Sequence, residues 1–328
     1  MKGKTVSLFA LSVLLMAAPA SAEMSTESVT VTGSRNAYHD FSKTFATPTA
    51  VTGKMARWEH RICPLVVGQN EHYAAFITQH IKYVALVAGA PVNTEASCEP
   101  NIEIVFTATP QALLDTVAKD SPLFLGYYTS LAQRDALAKM TRPIQAWYAT
   151  ETTDIKGRHW ADVDRQRGYG NRISNLAGPA NGVADILNNS PGQKIEGMPP
   201  FYESLGTRTN DGIHTGFRHI LIVVDSTKLA GQEIVPLTDY IAMLALTQIH
   251  SLAACQELPS IVNRLVTDCG HPADSLTLYD LAYLQGLYQM TTGRGGSGYF
   301  ASTVLQWNEI GDMMTDRLEK LRVSAAAK

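Results

Sequence analysis

Four of the nine histidines are candidates for a metal site, because imidazole is the commonest side-chain ligand of transition metals. His214 and His219 flank the start of an apolar run, His250 closes an apolar helical segment, and His271 follows a cysteine. Their spacing does not require a metal, since no two histidines lie three or four residues apart and H-E-x-x-H is absent. The sequence therefore predicts neither a metal site nor a cofactor.

A hydrolytic site is the alternative interpretation of the same region. It would be built from His219, Asp225 and His250, in a groove beside a helix at 237–250. Asp225 ends a buried strand, where α/β proteins often place functional groups. However, Asp225-Ser226 is also typical of a turn in which the aspartate accepts a backbone hydrogen bond, and G-x-S-x-G is absent. We therefore assign no catalytic residue and expect a protein that is not an enzyme.

Arginine and aromatic residues cluster in the segment 154–215, which is rich in Gly, Asn, Pro and Arg and has no clear period. Such a long irregular stretch is unusual inside a compact domain, and arginine and aromatic side chains are common in binding sites. The segment is therefore a candidate partner-binding insert, with a solvated loop of salt bridges as the alternative. The candidate binding residues are Arg158, Trp160, Arg165, Arg167, Tyr169 and Arg172.

The four cysteines predict two disulfides, because an even number behind a secretory leader is typical of a disulfide framework. Three pairings exist, and the positions favour Cys63–Cys98 and Cys255–Cys269. A zinc site is the alternative, and no C-x-x-C pair supports it.

The first 22 residues have the pattern of a secretory signal peptide. Lys2 and Lys4 precede an apolar run at 6–18, and Ala20-Ser21-Ala22 matches the small-x-small cleavage site. No later stretch of 18 apolar residues occurs, so we expect a periplasmic or secreted protein without a membrane span after cleavage. The formal net charge of −3 argues against nucleic acid as a partner.

Hydrophobic periodicity predicts helices and strands in mixed order, which indicates an α+β fold with a small mixed sheet packed by helices. We expect one domain at 55–325, preceded at 23–54 by a flexible arm rich in Ser, Thr and Gly. The predicted helices are at 71–88, 110–119, 129–140, 236–250, 277–290 and 302–321, and the strands at 101–106, 144–152 and 219–225.

The strand at 219–225, the apolar helix at 236–250 and the alternating strand at 101–106 follow one another in an order that resembles the core of the zincin metalloproteases. In that family the helix carries H-E-x-x-H, whose two histidines bind one zinc ion. Here the helix is apolar, so the resemblance implies a zincin-like arrangement that is catalytically silent. The segments HILIVVD, Leu246-Thr247-Gln248 and Leu276-Thr277-x-x-Asp280 are also similar to a family of uncharacterised secreted proteobacterial proteins, which implies a fold and no mechanism.

The segment VTVTGSR at 29–35 resembles a short stretch near the start of TonB-dependent outer-membrane receptors, with a β-prone piece of linker as the alternative. We therefore expect a non-enzymatic exported envelope protein, an inactive zincin-like scaffold that binds an unknown protein or envelope component through the insert. A secreted hydrolase with an unrecognised site beside the helix at 237–250 is the alternative. A structural envelope role without a discrete site is the third interpretation.

Overall fold

A mixed six-stranded sheet lies at the centre of the computed structural model, which describes residues 35–45, 47–95, 97–163, 211–249, 252, 254–270, 272–291 and 299–326. The strand order is β2-β3-β6-β4-β5, and β1 pairs with β6. Strands β1, β2, β3 and β6 are parallel, whereas β4 is antiparallel to β5 and β6. The strands are β1 (Ala56–Arg57), β2 (Pro64–Val67), β3 (Ile102–Thr107), β4 (Ile144–Thr153), β5 (His159–Ala161) and β6 (His214–Asp225).

Seven helices surround the sheet, and together the helices and the mixed sheet confirm the predicted α+β class. Trp147, Leu221 and Val223 pack on one face with Leu114 of α3 and Leu125 of a short 3-10 helix. The described residues all belong to one compact unit. The helices are α1 (Arg35–Phe45), α2 (Glu71–Ala88), α3 (Pro110–Asp120), α4 (Leu131–Leu137), α5 (Ile234–Leu246), α6 (Leu278–Gln289) and α7 (Tyr299–Ala326).

Helix α1 corrects the prediction of a flexible arm at 23–54. Tyr38, Phe41 and Phe45 recur at helical spacing and are buried, so one face of α1 is apolar. Phe45 lies 5.0 Å from the ring of Tyr283, and the Ser42 hydroxyl donates to the Trp307 carbonyl of α7. The aromatic residues of this Ser- and Thr-rich segment therefore dock it onto the C-terminal helices. Residues 23–34 and the predicted signal peptide lie outside the described residues.

Helix α5 ends at Leu246, four residues before the predicted end, and aromatic side chains satisfy its last carbonyl groups. The hydroxyl of Tyr148 lies 3.0 Å from the Leu244 carbonyl oxygen, and the Trp58 indole N–H donates to Ala245 over 2.7 Å. The hydroxyl of Tyr288 donates to Leu246 over 2.8 Å. A helix leaves its last four carbonyl groups without intrahelical partners, so these donors make it possible to bury the end of α5.

The two predicted disulfides are confirmed. Cys63 pairs with Cys98 and Cys255 with Cys269, with Cα–Cα distances of 6.1 and 5.4 Å. Helix α6 begins with a capping box, in which the Thr277 side chain accepts the Asp280 N–H and the Asp280 side chain accepts the Thr277 N–H. Within the described part of the chain, no helix has the length and apolar character needed to cross a membrane.

The predicted irregular insert at 154–215 is wrong at both of its described ends. His159–Ala161 forms β5 against β4, and His214 already begins β6. Strand pairing thus extends into the segment from both sides, and Ala161, Asp162 and Val163 are buried. Residues 164–210 lie outside the described residues.

Candidate metal centre

The β4–β5 hairpin brings the side chains of Glu151 and His159 together. Its turn is held by Asp154, whose Oδ1 accepts the backbone N–H groups of Lys156 and Arg158 over 2.9 and 3.1 Å. Gly157 has a φ of 69°, the left-handed conformation that a tight turn assigns to glycine. The resulting register places Thr153 opposite His159 and Glu151 opposite Ala161. Glu151 and His159 are therefore diagonal neighbours, within reach of each other's long side chains.

Residues of β4 alternate between the two sides of the hairpin. Thr150 and Thr152 each donate a hydrogen bond of 2.6 Å to the fully buried carboxylate of Asp162. Glu151 and Thr153 point to the opposite side. There the Thr153 hydroxyl lies 2.9 Å from Nδ1 of His159, so this contact must give way when the same nitrogen binds a metal ion. A buried polar anchor on one side thus fixes the backbone that carries Glu151 and His159 on the other.

His60 reaches the hairpin from the loop after β1, and this loop is fixed on both sides. Trp58 is buried and bonded to the end of α5, while Cys63 is tied to Cys98. Asn101 adds to this by accepting the Cys63 N–H over 2.7 Å and donating to the Arg61 carbonyl over 3.0 Å. His60 therefore projects from a short segment between two buried anchors.

The side chains of His60, Glu151 and His159 meet at one point of the sheet. Oε1 of Glu151 lies 2.7 Å from Nε2 of His60 and 3.3 Å from Nδ1 of His159. One ligand atom from each residue lies within 4.8 Å of the others. The Glu151 side chain is only 4% exposed, whereas the two imidazoles are 53% and 42% exposed. A buried carboxylate thus faces two rings that remain open to solvent on their far side.

This arrangement fits a divalent transition metal. Two histidines and one carboxylate are a donor set of zinc enzymes, in which the fourth position stays open for water or substrate. Ligand atoms around a tetrahedral zinc ion, with bonds of about 2.0–2.2 Å, lie about 3.3–3.6 Å apart. The Glu151–His159 distance of 3.3 Å already meets that value. Nε2 of His60 lies 2.7 Å from the same oxygen, which is a direct hydrogen-bond distance, so the half-exposed His60 ring must move outward to share an ion with Glu151.

A second histidine–carboxylate pair lies beside this centre. Oε1 of Glu59 is 2.5 Å from Nδ1 of His214, and Glu59 directly precedes His60. The Glu59 side chain passes over Gly216, where a Cβ atom would lie 3.5 Å from its Cγ. Gly216 pairs with Glu151 across the sheet, so the two glutamates approach one another over this glycine.

Of the two described histidines that were singled out in the sequence, His214 lies next to the centre and His219 does not. His219 is on the part of β6 that faces the Phe124 ring, with ring centroids 4.4 Å apart. Its Nε2 lies 3.5 Å from Oε1 of Glu103, and burial lowers the pKa of His219 while Glu103 opposes that shift. His250 and His271 lie outside the described residues.

The predicted hydrolase site at His219 and Asp225 is not assembled. The two residues are six positions apart on one strand, a distance of about 20 Å. Asp225 instead accepts the Thr227 hydroxyl over 2.6 Å and its N–H over 3.1 Å, which lowers the pKa of Asp225 and forms the predicted turn.

A pocket of about 320 Å³ lies beside α5, at the carboxyl ends of β3 and β6. Its lining combines the apolar side chains of Phe106, Val224, Leu229, Ile234 and Leu237 with the polar side chains of Gln69, Ser226 and Gln232. The described lining residues include no histidine and no carboxylate.

Two of the candidate partner-binding residues are described. The Arg158 guanidinium lies 5.1 Å from the Trp160 ring and donates to Oδ2 of Asp154 over 2.6 Å. Arg158 and Trp160 therefore form part of the hairpin that carries His159. Arg165, Arg167, Tyr169 and Arg172 lie outside the described residues.

In comparisons with known proteins, no protein-family model, no curated protein and no solved structure matches this chain.

Sequence reasoning missed His60, Glu151 and His159 because their positions span a hundred residues and share no local motif. One signal was available: a Gly-containing turn between Thr153 and His159 is typical of a hairpin. Pairing the residues across that turn would have brought Glu151 next to His159. Nothing local indicates His60, because its position depends on the parallel pairing of β1 with β6.

Proposed function

We propose that this chain is an exported protein that binds one divalent transition metal, with zinc as the preferred ion, through His60, Glu151 and His159. The observation that carries the proposal is the convergence of the two imidazoles on the buried Glu151 carboxylate. Burying a carboxylate is unfavourable unless a cation or hydrogen-bond donors compensate its charge. A metal ion held by both rings compensates that charge directly.

The proposed centre is of the open type. Structural zinc sites are closed by four protein ligands, whereas catalytic and ligand-binding sites keep a position for an exogenous group. Among the residues that the structure describes, three protein ligands are available here, and both histidines are about half exposed. The metal therefore has an accessible coordination position, which suits it to bind a small ligand or to activate water.

Export is supported by two independent features. The first 22 residues have the tripartite pattern of a secretory signal peptide. The two disulfides are typical of proteins in the periplasm or outside the cell, because the cytosol keeps thiols reduced. We propose a periplasmic or secreted location on this basis.

Metal binding is tested on the mature chain, purified without a histidine tag from an exporting host and dialysed against a chelator. Calorimetric titration with zinc is expected to show one site per chain. The variants His159→Ala and Glu151→Gln should each weaken zinc at least about 100-fold, because even loss of an outer partner of a metal ligand costs 10–100-fold.

The matched control is His72→Ala, which removes an exposed histidine of α2. This variant should bind zinc like the parent chain. Zinc binding that is equally strong in Glu151→Gln and in the parent chain would refute the assignment. Absence of zinc binding from the folded parent chain would also refute it and would favour the non-enzymatic partner-binding role predicted from the arginine-rich insert.

The zincin-like arrangement and the kinship with secreted proteobacterial proteins stay predictions. The proposed centre lies on the β4–β5 hairpin and the loop after β1, rather than on the apolar helix that corresponds to the zincin metal helix. It therefore does not revive the H-E-x-x-H chemistry of that family.

A further inference from the structure

Arg218 lies beside the proposed metal centre because β6 contains a bulge. Ala149 pairs with His219 and Thr150 with Phe217, which leaves Arg218 as the extra residue of β6. A bulge redirects a side chain and is frequent next to functional sites. Nη1 of Arg218 lies 3.9 Å from Oε2 of Glu151, and its side chain is 60% exposed.

The two oxygens of Glu151 thus have different neighbours. Oε1 faces the histidines, and Oε2 faces Arg218. A metal bound by Oε1 would share the Glu151 carboxylate with the guanidinium, so both cations would border the same space. The Arg218 side chain is long, mostly exposed and 3.9 Å from its partner Glu151, so its guanidinium can turn toward a ligand on the metal.

The charges at the loaded centre favour an anion. The metal contributes two positive charges and Arg218 one, against one negative charge on Glu151. Glu59 is a further carboxylate nearby among the described residues, and it is engaged by His214 at 2.5 Å. The open coordination position therefore faces a local excess of positive charge.

We infer that the metal-loaded centre binds an oxyanion, from a phosphate or a carboxylate group, with one oxygen on the metal and another on the Arg218 guanidinium. The inference rests on the proposed metal site and names the ligand class of its open position. Guanidinium binds planar pairs of oxygens on carboxylates and phosphates through two parallel hydrogen bonds. Arg218 acts here as a binding residue and is not needed to hold the metal.

The experiment uses the mature chain loaded with one cobalt(II) ion, whose visible absorption reports changes at the open coordination position. Inorganic phosphate and acetate are titrated separately, which distinguishes the phosphate from the carboxylate source. The expected result is a saturable spectral change with at least one anion. In Arg218→Gln the affinity for that anion should fall about 10- to 100-fold, the effect of losing a charged hydrogen bond.

The matched control is Lys228→Gln, which removes one exposed positive charge just beyond the other end of β6. It should bind the anion like the parent chain. Cobalt affinity in Arg218→Gln should stay within a few-fold of the parent value, which separates the anion site from the metal site. Equal anion affinity in Arg218→Gln and the parent, or no spectral response to either anion, overturns the inference while the metal site stands. Failure of cobalt to bind the parent chain overturns both.

Discussion

Glu151 and Asp280 are both almost fully buried carboxylates, yet they differ in the kind of partner that surrounds them. The Asp280 carboxylate accepts hydrogen bonds from the Ser260 hydroxyl and from two backbone N–H groups. These two, of Ile261 and Thr277, each lie 2.9 Å away. Burial raises the pKa of Asp280, and these donors oppose the rise. Glu151 instead faces His60, His159 and, at 3.9 Å, Arg218.

The difference separates a structural carboxylate from the proposed metal ligand. Backbone N–H groups are fixed hydrogen-bond donors, so the Asp280 cluster is complete as it stands. It joins the start of α6 to the 3-10 helix at Ile261–Leu265. Imidazoles exchange protons and bind metals near neutral pH. The Glu151 cluster can therefore change its occupant, and its half-exposed rings give that occupant access.

Replacing the structural carboxylate should have the largest effect on stability. Asp280→Ala leaves the N–H groups of Ile261 and Thr277 and the Ser260 hydroxyl without this acceptor, so we expect a loss of about 3–5 kcal/mol in the free energy of unfolding. Urea denaturation of the purified variant measures it. Asp274→Ala is the control, since Asp274 is 90% exposed and pairs with Arg264 at the surface. A loss below about 1 kcal/mol in Asp280→Ala would show that the two clusters do not differ in this way.

Metal should stabilise the fold only when the proposed ligand Glu151 is intact. Zinc at a hundred times its dissociation constant should raise the free energy of unfolding of the parent chain by about 2.7 kcal/mol. This gain should fall to about 0.4 kcal/mol or less in Glu151→Gln, because the amide is a poor ligand without charge and binds zinc at least about 100-fold more weakly. His80→Gln should keep it, since His80 belongs to a separate pair with Asp239, at 2.5 Å. Equal stabilisation of all three chains would assign the metal to another site.

The sequence predicted the elements more fully than the centre, and the reason is the range of the contacts involved. Helix α2 was predicted with its observed bounds, because Asn70 and Gly89 mark its two ends locally. Helix α1 was missed because low hydrophobicity concealed its three apolar positions. Strand β2 was missed as well, since it is short and its pairing with β3 joins residues that are far apart in the sequence.

The same distinction explains the mistaken choice of histidines. Only local spacing is visible in a sequence, and His214 and His219 stood out because they flank the central strand. The observed cluster requires the β4–β5 turn, the β1–β6 pairing and the Cys63–Cys98 disulfide together. The turn and the strand pairing were not recognised in the sequence, and the four cysteines allowed three pairings. The meeting of His60 and His159 at Glu151 could therefore not be predicted.

Loss of a buried hydrogen bond at the end of α5 should have an intermediate effect on the free energy of unfolding. Tyr148→Phe removes the hydroxyl that lies 3.0 and 3.2 Å from the carbonyl oxygens of Leu244 and Thr247. Leaving a buried acceptor unsatisfied costs about 1–3 kcal/mol, which urea denaturation resolves. Tyr83→Phe is the matched control, because Tyr83 is 64% exposed and its loss of a hydroxyl should change stability little. Equal stability of the two variants would mean that water replaces the hydroxyl at the end of α5.

The smallest effect is expected from His219, a histidine outside both clusters whose side chain is 11% exposed. Its folded-state pKa is lowered, chiefly by burial, so below the ordinary pKa of about 6.5 the unfolded chain binds a proton that the folded chain resists. Stability contributed by the neutral ring is thus complete above that pH and declines as the pH falls below it. Unfolding of the parent chain and of His219→Leu is compared at pH 7.5 and 5.5, with every other titrating group shared. The parent should lose more stability than the variant on acidification; an equal loss would show that Glu103, 3.5 Å away, compensates the burial of the charged ring.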